Sequence, residues 1–394
     1  MLIVRPLDVL HLRGNRLFAD ASHGEAVMPP WPSVFSGALR SWILAARGVD
    51  FGAFGRGSFD DAAVAAVVGR SPTDPGSFRV TSVALADDAA GPGAGRVYFP
   101  LPADLFAAGD DESGYRITPL RPASAASLGG IGSFPPPLVP VLRSAKPEKP
   151  AAGLWIDASG MLAHLRGRRV PTSSVVPSSK LWKIDSRLGI ALEPRSRTAS
   201  QGMLYTTDAI ALAQDKAFLV GVSGAGELLD RGGVVRLGGD GRGAQVVPWK
   251  PAAGERVMPW EVLPSSGSFR MILATPGVFR GGWLPPGVDA EGEDHVLDFH
   301  GLRARLVAAA VGRAGVVSGW NLAERRPKPA EKVVPAGSVY WFERIEGEVS
   351  ALAALRDEGL WPLYGDLTPA ERARRAEGFN NAWFGEWGAD PGAK

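Results

Sequence analysis

The chain of 394 residues is long enough for two domains that each bury a core, and 45% of its residues are hydrophobic, as in soluble globular proteins. It has no cysteine, which excludes disulfides, thiolate metal sites and cysteine nucleophiles and favours a reducing cytoplasm. The 43 Lys and Arg residues nearly balance the 41 Asp and Glu residues, and no apolar run approaches the ~20 residues of a membrane span, so we expect no membrane contact and only local basic surfaces.

The predicted elements of the first half begin with a strand and a helix. Leu2 to Leu10 is typical of a buried strand, and Ser33 begins a helix whose apolar residues recur at helical spacing until Gly48. The stretch 52–179 is rich in Pro, Gly, Ala and Ser, so we interpret it as a long, partly irregular insertion with short strand candidates at 78–85 and 96–101. A first domain of residues 1–250 is completed by strands at about 203–211, 217–222 and 244–249 and a short helix near 227–230.

The second half, residues 255–394, repeats this order. Its predicted elements are a strand at 269–274, a helix near 297–302, strands at 306–312 and 338–342, a helix at 348–356 and a strand at 382–387. The order is that of the split βαβ arrangement, with helices on one face of an antiparallel sheet and the other face available to a ligand. We therefore predict an α+β fold of two tandem ferredoxin-like (RRM-like) domains, with the insertion in the first.

Each half contains a glycine-rich turn followed by a strand with tryptophan. The first turn is Arg236 to Gly243 and the second is Glu377 to Asn380. Glycine tolerates positive φ and leaves its backbone N–H groups accessible, so such a turn can lie flat against a phosphate backbone. Asp240-Gly241 taken alone is also typical of a simple hairpin turn. The first turn is thus a candidate RNA contact.

Basic residues are concentrated in three segments. Five cations and two acids lie between Lys180 and Arg197, three arginines and no acid lie at 166–169, and a third basic group spans 325–332. Single-stranded RNA is held by cations on phosphates, by backbone N–H groups and by aromatic faces that stack on bases. Any one such segment can also be a solvated face. Trp320, just before the third group, can stack on a base or pack beneath the basic loop.

Several segments resemble RAMP-superfamily CRISPR proteins. Residues 4–8, 12–18 and 29–40 are similar to the opening of that superfamily. Further segments resemble, in chain order, the subunit of Cmr (type III-B) effector complexes that lies at the 5′ end of the guide RNA. They are residues 187–193, 197–199, 202–207, 237–242, 275–277, 282–285, 319–321, 326–329 and 334–340. The chain departs from the family at Asn380, where another glycine is expected, and at Leu17 and Trp31, which replace the more usual proline.

The resemblance implies a non-catalytic subunit of an antiviral ribonucleoprotein. Such a subunit grips the repeat-derived 5′ tag of the CRISPR RNA, docks on the large palm-domain subunit, adjoins the neighbouring backbone RAMP subunits and meets target RNA indirectly. No cofactor, metal site or catalytic residue is expected. The predicted RNA-binding residues are Arg13, Arg16, Arg40, Lys180, Arg187, Arg195, Arg197, Gly238, Gly239, Gly241, Arg242, Trp320, Arg325, Arg326 and Lys328.

Two enzyme classes lack residues that they need. Asp240 is followed by Gly241, where a palm-type metal site needs a second carboxylate, and Gly243 is not followed by the Lys and Ser or Thr of a Walker loop. A metal-independent endoribonuclease that processes precursor CRISPR RNA stays open as the alternative, with His11 or His23 as general acid or base. A purely protein-binding scaffold is also open.

Overall fold

The computed structural model describes residues 1–12, 23–88, 96–124, 126, 136–144, 148–193, 195–250, 258, 262–265, 267–289, 295–321 and 326–387. Arg13, Arg16 and Arg325, which are predicted RNA contacts, lie outside these residues, as does the predicted domain boundary at 251–254.

Strands dominate the first half. They are β1 (Leu2–Pro6), β2 (His23–Gly24), β3 (Arg79–Asp87), β4 (Val97–Pro100), β5 (Leu105–Asp110), β6 (Gly114–Pro119), β7 (Arg121–Ser124), β8 (Leu138–Val141), β9 (Leu154–Asp157), β10 (Val175–Pro177), β11 (Trp182–Leu192), β12 (Ala199–Leu212), β13 (Lys216–Ser223), β14 (Gly233–Arg236) and β15 (Gly243–Pro248). The helices are α1 (Pro32–Ala46), α2 (Phe51–Arg56), α3 (Ala62–Val68) and α4 (Ala158–Leu165).

The second half is also a mixture of strands and short helices. Its strands are β16 (Ser268–Leu273), β17 (Val296–Phe299), β18 (Leu302–Ala310), β19 (Gly315–Val317), β20 (Trp320–Asn321), β21 (Arg326–Pro327), β22 (Glu331–Val333), β23 (Val339–Glu346) and β24 (Ala382–Glu386). Its helices are α5 (Leu352–Glu358) and α6 (Pro369–Glu377). The predicted α+β class is therefore confirmed.

Two main sheets share one strand order. The first runs β10-β9-β4-β3-β13-β1-β15-β14 and the second runs β17-β18-β23-β16-β24, with antiparallel pairs. Each contains four adjacent strands in the order second, third, first, fourth along the chain: β3-β13-β1-β15 and β18-β23-β16-β24. This agrees with one arrangement used twice, while the ferredoxin-like assignment and the domain boundaries stay predictions.

The stretch 52–179 is not simply an insertion, because it supplies strands of the first sheet. β3 pairs with β13 from Arg79 to Asp87, and β4, β9 and β10 extend the sheet beyond β3. The strands predicted at 78–85 and 96–101 coincide with β3 and β4, but their place in the first sheet was not predicted. Ala84 and Ala86 of β3 are small residues of low strand propensity. Both are buried where the first sheet packs against the second.

The predicted helix near 297–302 is wrong. Val296–Phe299 and Leu302–Ala310 are the strands β17 and β18, joined by a turn in which His300 and Gly301 have φ of +49° and +81°. Buried Leu297 and Phe299 on one side of the turn alternate with exposed residues, a period of two that is typical of strands.

The inner faces of the two sheets pack against each other. α1 to α3 cover the outer face of the first sheet, and α5 covers the outer face of the second. Between the sheets, Ile3, Leu219 and Phe99 of the first share a buried cluster with Ile272 and Trp383 of the second. The prediction that one sheet face is available to a ligand is therefore wrong, because burial of apolar area holds that face closed.

A buried polar cluster also joins the halves. Asp104, fully buried before β5, accepts a hydrogen bond from Arg270 Nη1 of β16 at 2.8 Å and lies 2.8 Å from His164 Nε2 of α4. The Arg270 guanidinium also donates to the His164 carbonyl oxygen. Burial opposes ionisation of Asp104, but the imidazole and the guanidinium hold the pKa of its carboxyl below the ordinary value. Burial and Arg270 lower the pKa of His164.

Candidate nucleic-acid interface

A long hairpin carries one group of predicted RNA contacts. β11 and β12 pair from Trp182 opposite Leu212 to Leu192 opposite Ala199, with a bulge near Ile190. β2 adds a short parallel strand to β12 at residues 206–207. Residues 182–192 of the basic segment are thus a strand whose residues alternate between two faces.

The hairpin tip presents two arginines to solvent. Arg195 and Arg197 are exposed in the turn between β11 and β12, and Arg197 has a φ of +55° with its N–H donating to Glu193 O at 2.8 Å. Neither arginine forms an ion pair within the part of the chain that the structure describes. A cation held at the end of a rigid hairpin is well placed to meet a phosphate.

Two further cations at the hairpin differ in their partners. Arg187, within β11, donates through Nε and Nη2 to Asp185 Oδ2 at 2.9 and 2.8 Å, so its charge is partly neutralised. Lys180, just before β11, is exposed, with Nζ 4.0 Å from Asp111 Oδ1. An RNA phosphate would have to compete with Asp185 for Arg187, whereas Lys180 is only loosely paired.

One face of the hairpin is apolar and exposed. Its five large side chains are 45–71% exposed: Ile184, Leu188, Ile190, Leu192 and Leu204. The opposite face holds Tyr205 over Gly189, where an added Cβ would lie 2.3 Å from the ring. Five exposed large apolar side chains on one face are typical of a surface that a partner covers. The alternation within residues 182–192 could have indicated it.

The first glycine turn closes the β14–β15 hairpin. Leu237 N–H donates to Arg242 O at 2.7 Å, and positive φ occurs at Gly238 (+74°), Asp240 (+57°) and Gly241 (+63°). Two successive left-handed residues at Asp240 and Gly241 are typical of the type I′ turn that joins antiparallel strands. A simple hairpin turn is therefore sufficient to explain why glycines occur in this segment.

The same turn packs against the segment that follows β1. Gly239 N–H donates to His11 O at 2.8 Å, and a Cβ added at Gly238 would lie 2.8 Å from that oxygen. Arg242 Nη1 donates to Asp8 Oδ2 at 2.8 Å. One N–H group and one cation that were expected at RNA thus bind the protein itself. Contact of Gly241 and Arg242 with RNA stays a prediction.

The buried position of His11 is unfavourable for the endoribonuclease alternative. The ring is 3% exposed and its Nε2 lies 3.6 Å from Asp240 Oδ2. A general acid or base must reach the substrate atom that it serves. The side chain of His23 lies outside the described part of the structure.

The second glycine turn lies inside the fold. Gly378 ends α6 with a φ of +95°, and a Cβ added there would lie 2.8 Å from Val80 O. Asn380 is fully buried with a φ of +65°; its Oδ1 accepts from Val278 N–H at 2.6 Å and its Nδ2 donates to Val278 O at 3.3 Å. These bonds explain why asparagine replaces the expected glycine, and they leave this turn no surface for RNA.

A ribbon in the second half carries the third group of predicted contacts. β19 pairs with β22, and beyond them β20 pairs with β21 so that Trp320 stands opposite Pro327. Trp320 is 55% exposed, and Arg326 is exposed beside it. Trp320 is therefore accessible for stacking rather than packed beneath the loop.

Lys328 anchors this ribbon to α6. Its Nζ donates to Glu377 Oε1 at 2.7 Å, and Glu377 also accepts from Arg374 Nη1 at 2.8 Å. Arg374 Nε in turn donates to Glu331 Oε2 at 2.6 Å. Burial opposes the charge of Arg374, but the two glutamates raise its pKa above the ordinary value. The predicted RNA contact at Lys328 therefore competes with a buried ion pair.

Arg40 is bound within the first half. It lies on α1, and its Nη2 donates to Val68 O at 2.7 Å and to Asp74 O at 3.2 Å. Burial lowers its pKa, against the effect of nearby Glu377 and Asp74. This geometry ties α1 to the end of α3, and an RNA contact at Arg40 stays a prediction.

No cluster of three or more metal-ligating side chains occurs among the described residues. Within the same residues, none of the helices has both the length and the apolar character needed to cross a membrane.

One known family matches nearly the whole chain, and chains of solved structures share its fold. The family described as CRISPR-associated protein (Cas_Cmr3) matches residues 2–387. A chain from the cryo-EM structure of the type III-B Cmr-beta bound to cognate target RNA and AMPPnP is similar over 97% of this chain and 95% of that chain, with 13% identity and a TM-score of 0.52. A chain from Cmr-beta bound to cognate target RNA gives 12% identity, a TM-score of 0.51 and the same coverage. These structural likenesses concern the fold. No curated protein sequence matches the chain.

Proposed function

The chain belongs to the Cas_Cmr3 family of CRISPR-associated proteins and is thus a type III effector subunit, and from this premise we propose that it is the non-catalytic subunit that grips the 5′ tag of the guide RNA. It docks on the large palm-domain subunit beside the backbone RAMP subunits in the cytoplasm. The complexes that contain the similar chains are bound to cognate target RNA, which supports an RNA ligand.

The observation that carries the proposal is the hairpin β11–β12. It presents Arg195 and Arg197 at its tip without a carboxylate partner in the described chain. Both main sheets are covered on both faces, so a ligand must bind on protruding segments. Arginine forks donate two hydrogen bonds to phosphate, which makes the tip suited to an RNA backbone.

The apolar face of the hairpin supports a role inside an assembly. Its five exposed aliphatic side chains bear no charge and contact water in the separate chain. Covering such a face with a neighbouring subunit removes apolar area from water and stabilises the assembly. One hairpin thus offers cations at its tip and a docking face along its length.

Binding of tagged guide RNA to the assembled complex tests this proposal. We expect the double variant R195Q/R197Q to lower the affinity about 100-fold or more, since each of the two lost charge-assisted hydrogen bonds costs about 1.5–3 kcal/mol. The control R56Q/R70Q removes the same charge from exposed arginines near α2 and α3. Measurements with a guide of equal length that lacks the tag show whether the loss is specific.

Equal affinity for tagged and untagged guides in the native complex would contradict tag recognition. If R195Q/R197Q and R56Q/R70Q bind tagged guide RNA with equal affinity, the role of the hairpin is contradicted. Cleavage of a precursor transcript by the purified chain, lost in His11→Ala, would favour the endoribonuclease instead.

A further inference from the structure

The helix α4 ends in a turn of fixed conformation. Gly167 has a φ of +66° and its N–H donates to His164 O at 3.0 Å, while Arg168 N–H donates to Ala163 O at 2.8 Å. These two bonds form the Schellman motif, in which glycine takes the left-handed conformation after the helix. The side chains of this segment, which we call the arginine turn, are Arg166, Arg168 and Arg169.

The arginine turn has no acidic partner among the described residues. Arg168 and Arg169 are exposed and Arg166 is half-buried, and none of them forms an ion pair there. The neighbouring carboxylate is that of Glu386, whose Cβ would lie 3.9 Å from a Cβ added at Gly167. Glu386 instead accepts hydrogen bonds from the Ser265 N–H and hydroxyl. Three positive charges within four residues are left without a counter-charge.

Helix stabilisation does not account for this concentration of charge. A single cation in the last turn complements the helix dipole, and further cations beside it repel one another. Some comparable side chains elsewhere are neutralised: Arg242 is 2.8 Å from Asp8, and Arg280 is 2.6 Å from Glu371. The unpaired arginines of the turn are therefore available to a polyanion outside the chain.

The surroundings favour a nucleic acid over a protein. The exposed large apolar side chains of the described residues include none between 154 and 181, whereas the core of a protein interface is apolar and poor in charge. Arginine matches phosphate oxygens through its planar fork. We propose that the arginine turn is a second contact with the phosphodiester backbone of RNA, distinct from the hairpin β11–β12. This inference rests on the proposed function, which supplies RNA as the ligand.

The test measures RNA affinity of the assembled complex across a salt series. The double variant R168Q/R169Q removes the two exposed charges and leaves the helix and its glycine cap unchanged. The probes are labelled guide RNA alone and the guide complex with labelled complementary RNA, which distinguish the two strands as sources of the phosphate. The matched control is again R56Q/R70Q, with the same change in net charge.

We expect the slope of log affinity against log salt to fall by about 1.4, at about 0.7 per lost phosphate contact. Between 50 and 200 mM salt the variant should therefore lose about sevenfold less affinity than the native complex, while the control behaves as the native complex does. A change confined to one probe assigns the contact to that strand.

An unchanged slope with both probes would overturn the inference, and so would loss of the subunit from the complex, which would indicate a protein partner. The variant R195Q/R197Q separates this failure from that of the proposed function. If it weakens guide binding while R168Q/R169Q does not, only the second contact is refuted.

Discussion

Replacing Arg270 by Met should destabilise the whole chain through the buried cluster that joins its halves. The substitution leaves the Asp104 carboxylate fully buried with only the His164 ring as a partner. Breaking a buried ion pair by removing one member costs about 3–5 kcal/mol, because the remaining charge is uncompensated. In a protein of this length, an unfolding entropy of about 2.1 cal/mol/K per residue converts this cost to a fall in Tm of about 4–6 °C.

Differential scanning calorimetry of three variants measures this effect. Arg375→Met removes an ion pair with Glu358 that is 31% and 48% exposed, and it should cost less than about 1 kcal/mol. The double variant D104N/R270M removes both buried charges, so it should recover most of the loss. A Tm of R270M as high as that of R375M would refute the idea that a buried charge pair holds the halves together.

Three further predictions concern single residues. Burial lowers the pKa of His164, so the folded chain keeps the ring neutral while the unfolded chain binds a proton below about pH 6.5. The free energy of unfolding should therefore fall as the pH falls through that value. His164→Gln should flatten this fall in a pH series of Tm values. An alanine in the left-handed conformation costs about 1–2 kcal/mol of stability. Gly282→Ala, with a φ of +73° and open space around its Cβ, should lose only that amount in urea unfolding. Gly238→Ala should lose more, because its Cβ would meet His11 O. Asn380→Gly keeps the positive φ but loses the buried side-chain bonds, and we expect a loss of about 1–3 kcal/mol by the same measurement.

Several buried strands could be predicted from the sequence because they have a simple local signature. β13, β16 and β24 coincide closely with predicted strands, β1 begins as predicted but ends at Pro6, and the resemblance to the family is confirmed. The strand predicted at 203–211 lies in β12, which pairs with β11 and β2 outside the first sheet. The helix predicted at 297–302 failed because four to six apolar residues fit either period when the turn is not recognised. His300 is in the left-handed region there, which non-glycine side chains rarely occupy.

The candidate contacts were harder to predict because a sequence lists cations but not their partners. Arg187 and Arg242 resemble Arg195 and Arg197 in sequence, yet the first two bind Asp185 and Asp8. Asp185 is only two residues from Arg187, so strand alternation could have indicated that pair, whereas Asp8 is 234 residues from Arg242 and no local pattern contains that contact. The second glycine turn misled for the same reason, since its glycine is required by contact with β3.

The packing of the two sheets decides where RNA can bind. A single open sheet of this kind offers a broad face for bases, but here the two inner faces are buried together and the outer faces lie under helices. Adjacent positive charges cannot be placed in such an interior without partners, since burial of an unpaired charge is costly. Among the described residues, the cations available to a ligand include those on the hairpin tip and the arginine turn. Because the net charge of the chain is only +2, these local groups rather than a general positive field must supply the affinity for RNA. It follows that neutralising one such group should change the salt dependence of binding far more than neutralising equal charge elsewhere.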